Sequence, residues 1–191
     1  MNTMNSNKTK DLTTIALMAA LTAIMAQIAI PMPSGVPMTL QTLAVTLAGV
    51  ILGAKGGALS MLVYLLLGAV GVPVFSEFCG GLGILVGPTG GFLISFPLMA
   101  FIVGLGVPRE RSSSGASTGD GKNNLHSIRF WGCLIAGTLI NYIVGTACFC
   151  LSTGASIPAG VAACVVPFIP TTIVKALMGG ILGMRIRRAI K

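Results

Sequence analysis

Lys175 is charged in the middle of an apolar run, Gly160 to Met184, well before the basic cluster that starts at Arg185. An ammonium at the centre of a membrane helix costs about 2.5–3.5 kcal/mol. It therefore either faces a protein interior, where an anion or strong acceptors meet it, or reaches an interface along its own stem. Pro167 and Pro170 precede it and break the helix there. Glu77, in Phe75-Ser76-Glu77-Phe78-Cys79, is a candidate to touch a ligand or to pair with Lys175, and equally a solvated loop carboxylate. Other polar groups sit in apolar surroundings: Asn141 and Tyr142 together, and Gln41 with Thr42 after a proline-rich stretch. Such side chains turn toward a helix bundle and hydrogen-bond there. Between Gly80 and Gly91 the chain is dense in glycine. Thr89 offers a hydroxyl and Gly90 a close backbone approach, suiting either a packing turn or a binding turn.

Several chemistries are excluded. The glycine-rich segment lacks the Lys-Ser/Thr of a phosphate loop and fails the G-x-G-x-x-G spacing, so the chain has no means of its own to bind and hydrolyse ATP. The five cysteines (Cys79, Cys133, Cys148, Cys150, Cys164) form no C-x-x-C pair, and His126 stands alone in a polar stretch, so neither a zinc site nor any other metal site is expected. No carboxylate pair or His–carboxylate set suggests catalysis, and no catalytic residue or cofactor is assigned.

The elements that must position these residues are membrane helices. The chain of 191 residues is 54% hydrophobic and 8% charged, against about 25% charged in soluble domains. A crossing needs about 20 apolar residues. Six stretches approach this, near 12–30, 39–53, 57–70, 87–107, 130–151 and 160–184. The expectation is an all-α integral membrane protein, a single domain over 1–191 with six transmembrane helices. The segment 108–128, rich in Ser, Gly, Lys, Arg and Asn, reads as a flexible cytoplasmic loop.

Charge sets the orientation. Basic residues flank alternate connections: Lys8 and Lys10, then Lys55, then Arg109, Arg111, Lys122 and Arg129, then Arg185, Arg187, Arg188 and Lys191. The three opposite loops carry no Lys or Arg. By the positive-inside rule both termini are cytoplasmic, and the net charge of +8 reflects membrane topology rather than nucleic-acid binding. The outer loops are apolar and rich in Pro and Gly, as in Pro31-Met32-Pro33-Ser34-Gly35-Val36-Pro37, and are expected to fold back over the bundle as a lid. Ala16, Ala19, Ala20 and Ala23 give overlapping small-x-x-x-small patterns in the first span, suiting either internal packing or a partner's docking face.

Several segments together resemble the BioY family, the biotin-specific substrate-capture (S) subunits of energy-coupling factor (ECF) transporters. They are Val36-Pro-Met-Thr-Leu-Gln-Thr-Leu43, Leu52-Gly-Ala-Lys-Gly-Gly-Ala58, Tyr64-Leu-Leu-Leu-Gly68 with Gly71-Val-Pro-Val-Phe75, Gly87-Pro-Thr-Gly-Gly-Phe92, and Pro167-Phe-Ile-Pro170 with Lys175. The resemblance runs from about Leu12 to Gly183, apart from the loop. It implies a plasma-membrane protein with a biotin pocket near the outer face, closed by the first outer loop. It also implies transport driven by a transmembrane coupling subunit and two ATPase subunits, so that ATP is used by partners only, with the small-residue face of the first helix as docking surface. Gln41, Phe75, Glu77, Thr89, Gly90, Tyr142, Thr172 and Lys175 are the expected substrate contacts. At Thr172 the chain departs from the family, which usually has an Asp three residues before the lysine. The same scaffold selecting another vitamin, or an intramembrane enzyme, are the alternatives.

Overall fold

Apolar segments that satisfy their backbone internally do so here as helices. The computed structural model describes residues 3–33, 35–107 and 120–190, with side chains over 8–33, 35–107 and 128–189. The helices are α1 (Thr3–Gln27), α2 (Gln41–Ala69), α3 (Leu82–Val86), α4 (Gly90–Gly106), α5 (Asp120–Thr153), α6 (Ile157–Cys164) and α7 (Ile169–Ile190). Strands β1 (Ala29–Ile30) and β2 (Met38–Thr39) form a small antiparallel hairpin, pairing Ala29 with Thr39 and Ile30 with Met38. Among the described residues, four helical segments are long and apolar enough to cross a membrane: Lys8–Gln27, Gln41–Ala69, Ile128–Thr153 and Ile157–Ala189. Gly90–Gly106 is a shorter apolar helix.

The segment Gln41–Ala69 is bent back on itself at Gly53 (φ 76°, ψ -177°). Glycine adopts that conformation freely. The proof of the reversal is a hydrogen bond of 2.6 Å from Gln41 Nε2 to the Tyr64 hydroxyl. In a straight helix these residues would lie about 35 Å apart along the axis. The expected break over Ala54-Lys55-Gly56 is thus one residue long and lies at Gly53. Beyond it Gly57 lies against the backbone of Ala48 and Gly49, so close that a side chain on Gly57 would collide.

Other boundaries also differ from the sequence reading. The first apolar run stops being helical at Gln27, because Ile28 to Ile30 feed the hairpin and Leu40 N–H bonds to the Ile28 carbonyl. The fourth begins its long helix at Gly90, not Gly87. The sixth is two helices joined by a 3₁₀ turn at Val166–Phe168, where Pro167 interrupts the helical ladder. Residues 120–128, expected as loop, have helical backbone continuous with α5, since extending an existing helix costs far less than starting one. Residues 108–119, with Arg109 and Arg111, the side chains of Lys122 and His126, and Lys191 lie outside the described residues.

In the bundle α4 packs between α2 and α5, and α1 and α7 flank α2. The main core joins Met61, Tyr64, Phe75, Phe96, Met99 and Leu134 from these elements. A second, smaller cluster of Val36, Phe149, Cys164 and Phe168 fixes the β1–β2 hairpin onto α5, α6 and the 3₁₀ turn. Arg129 donates to the Leu105 carbonyl, and Arg187 Nη1 to the Val50 and Ile51 carbonyls. These cations therefore gather, with Lys55, at the end of the bundle opposite the hairpin.

Candidate functional site

Under the hairpin lies a cavity with about 70 Å³ of free volume. Sites for drug-sized ligands run to about 300–1,000 Å³, so a vitamin-sized molecule enters only if the wall yields. On the hairpin side the wall is formed by Val36 and Pro37 of the β1–β2 connection. Phe92, Phe96 and Phe168 give it aromatic walls. Hydroxyls and amides of Thr39, Gln41, Thr89, Asn141 and Tyr142 supply its polar surface.

Lys175 is the one cation in this wall. It is 8% exposed, and its Nζ donates to the Thr39 carbonyl at 2.9 Å, at the foot of β2. The ammonium thus turns into the protein rather than along its stem to an interface. A carbonyl answers one of its three donors. Neither described carboxylate whose side chain can be placed, Asp11 or Glu77, lines the cavity. A buried charge without a partner is costly, and an anionic group brought into the cavity would offset that cost.

Of the expected contacts, the structure brings Gln41, Thr89, Tyr142, Thr172 and Lys175 together around one space. Tyr142 and Thr172 share a hydrogen bond between their hydroxyls, so Thr172 is engaged by α5 rather than by Lys175. Gln41 is held by Tyr64 through Nε2 and by the Thr39 hydroxyl at Oε1. Thr89 precedes α4 but makes no side-chain cap with it, which leaves its hydroxyl available to the cavity. Phe75, Glu77 and Gly90 are not among the lining residues. Phe75 is 1% exposed and meets the Tyr64 ring edge to face, with centroids 5.6 Å apart, inside the core. That is a favoured aromatic geometry. Gly90 is buried at the start of α4, with the Leu85 carbonyl filling the place of a side chain. Glu77 is exposed.

Two further residues matter. Ser76 lines the cavity beside Glu77. It is presented by a loop in which Glu77 (φ 60°) and Phe78 (φ 56°) both take left-handed backbone, uncommon for such side chains. Gln27 holds that loop: Nε2 donates to the Phe75 carbonyl at 3.0 Å, and Phe78 N–H donates to Oε1 at 2.9 Å. The single amide in the first span, where the other polar residues are threonines, was the available signal for Gln27. Asn141 spends its amide hydrogens on the Phe92 carbonyl and the Ser95 hydroxyl, tying α5 to α4 at the cavity wall. On α1, Ala16 and Ala20 are exposed one turn apart, whereas Ala19 is buried and Ala23 partly buried.

Comparison with known proteins agrees with this architecture. The chain is 34% identical over 192 residues to the biotin transporter BioY2 of Lactococcus lactis subsp. cremoris, covering 98% of this chain and 95% of that protein. It is 37% identical over 186 residues to the biotin transporter BioY of Rhodobacter capsulatus, covering 93% of each. Identity reaches 49% over 104 residues with a probable biotin transporter BioY of Pyrococcus horikoshii, a match that spans 54% of this chain and 64% of that protein. Among solved structures it is similar to the S-component for biotin from an ECF-type ABC transporter, with a TM-score of 0.78, 26% identity, and coverage of 96% of this chain and 94% of that one. The BioY family model matches residues 1–191 from end to end, and the chain belongs to the BioY family.

Proposed function

We propose that this chain is the biotin-binding S-component of an ECF transporter, a multi-pass protein of the plasma membrane that captures biotin outside and releases it inward when coupled to an ATP-driven module. The observation that carries this reading is Lys175, a buried ammonium without a carboxylate partner among the described residues, in an aromatic and hydroxyl-lined cavity beneath a hairpin. Biotin offers an apolar ring and chain, a neutral ureido group and a carboxylate. The aromatic walls suit the first, and Tyr142, Thr172, Thr89 and Gln41 suit the second. Lys175 suits the carboxylate. Phe75 and Gly90 act through packing, by setting the loop before α3 and the start of α4, and Glu77 stays on the loop surface.

Six crossings follow if α1, the two halves of α2, α4, α5 and the α6–α7 pair each count once, with both termini cytoplasmic. The gathering of Lys55, Arg129 and Arg187 at the end away from the cavity supports that orientation. Ala16 and Ala20 form the exposed small-residue face on which a transmembrane coupling subunit would dock. That subunit and two ATPases complete the module, and this chain performs no chemistry itself.

Biotin uptake into cells deficient in their own biotin import tests the reading. Labelled biotin is expected to accumulate when the chain is expressed with a coupling module, and Ala16→Leu with Ala20→Leu should abolish co-purification with that module while leaving biotin binding intact. ATP hydrolysis by the purified chain alone, or accumulation of another vitamin in place of biotin, would contradict it.

A further inference from the structure

Thr42 has a hydroxyl that the protein leaves unused. Its Oγ1 is shut off from the surface and has no hydrogen-bond partner among the described residues, yet Thr42 lines the cavity. Its neighbours show how fully such groups are otherwise engaged. Gln41 is held at both ends of its amide, and the Thr46 hydroxyl turns back to the Thr42 carbonyl four residues earlier. The same back-bond is denied to Thr42, because the residue four before it, Met38, lies in β2 rather than in the helix. A buried hydroxyl without a partner is unfavourable unless something in the cavity completes it.

The packing of α2 on α7 brings Thr42 level with Lys175 along the two helices, and both residues line the cavity. Gly179 lies against Thr46 and Leu43, and Gly183 against Val50 and Leu47, so the first half of α2 and α7 run side by side in the same direction. One turn back along both, Thr39 and Thr42 come level with Lys175, and the Lys175 bond to the Thr39 carbonyl lies at that level. We infer that Thr42 and Lys175 form a two-point seat for a carboxylate, the Thr42 hydroxyl donating to one oxygen and the Lys175 ammonium to the other. This rests on the biotin reading and adds a selection rule to it. Thr42 sets the preference for the free acid over neutral derivatives of the same molecule.

The test is calorimetric titration of the purified full chain with biotin and with biotinamide, for wild type, Thr42→Val and Thr42→Ser. Valine keeps the shape and removes the hydroxyl, and serine keeps the hydroxyl. Wild type is expected to prefer biotin. Thr42→Val should weaken biotin about tenfold, as for a lost hydrogen bond to a charged group, while biotinamide changes less than about twofold and the acid preference shrinks in proportion. Thr42→Ser should stay within about threefold of wild type for both. Melting temperature in detergent should not fall for Thr42→Val, which exchanges an unpaired hydroxyl for a methyl. If wild type binds biotin and Thr42→Val binds it equally well, or weakens acid and amide alike, the carboxylate seat is wrong while the biotin reading stands. If wild type binds neither compound, the biotin reading fails and this inference with it.

Discussion

At the basic end of the bundle, helices meet backbone to backbone. Gly57 lies on Gly49, Gly104 on Gly53 and Ala54, and Arg187 bonds the last carbonyls before the bend at Gly53. At the hairpin end the same helices enclose a cavity. Closure there depends on a two-residue strand pairing, on Val36 among Phe149, Cys164 and Phe168, and on the Lys175 bond to Thr39. Close glycine contacts occur at both ends, with Gly90 against the Leu85 carbonyl and Gly91 against the Val144 carbonyl on the hairpin side, but the basic end is tied by cations on backbone carbonyls. The other has polar groups still short of partners. The difference shows how one small bundle can be both rigid and receptive, since close-packed helices resist opening and a two-residue strand pairing over a cavity costs less to part.

That contrast can be broken from either end. The largest effect is expected from Lys175→Met, which should weaken biotin about 30-fold or more, corresponding to about 2–5 kcal/mol for a buried charge partner, while the melting temperature holds or rises because an uncompensated charge is gone. Calorimetry and thermal unfolding in detergent read the two quantities separately, and a variant with unchanged affinity would remove Lys175 from the site. Next, Gly57→Val should destabilise by about 1–3 kcal/mol through overpacking against Gly49, seen as a lower melting temperature with and without ligand. Gln27→Leu removes two hydrogen bonds to the 75–78 loop, about 0.5–1.5 kcal/mol each. Hydrogen exchange at Phe78 should quicken, with a modest loss of affinity because Ser76 is no longer held. Smallest of all, Val36→Ala at the hairpin tip should cost about 1 kcal/mol of closure, appearing as biotin release several-fold faster with little change in melting temperature. Equal effects of Gly57→Val and Val36→Ala on melting would show that the two ends are not mechanically distinct.

Much of this was legible in the sequence, for definable reasons. The apolar runs, their breaks at Pro and Gly, and a lysine at position 175 inside an apolar run each carry a local physical signal. So did the proline-rich segment after the first run, which covers the bundle with Val36 and Pro37. Contacts made across the fold left no such signal. That Gln41 would be held by Tyr64, or Lys175 by the Thr39 carbonyl, depends on the reversal at Gly53 and on the parallel course of α2 and α7. Phe75, Glu77 and Gly90 sit close in sequence to residues that line the cavity, yet the loop turns Phe75 into the core and leaves Glu77 outside. Thr42, next to Gln41, differs from it only in what its neighbours leave unsatisfied.

The most direct test of biotin capture is isothermal calorimetry of the detergent-purified chain with biotin, alongside riboflavin and thiamine. Saturable, tight binding of biotin alone is expected, and would show that a threonine at position 172 is compatible with recognition. Absence of biotin binding, or binding of another of these vitamins in its place, would contradict the assignment.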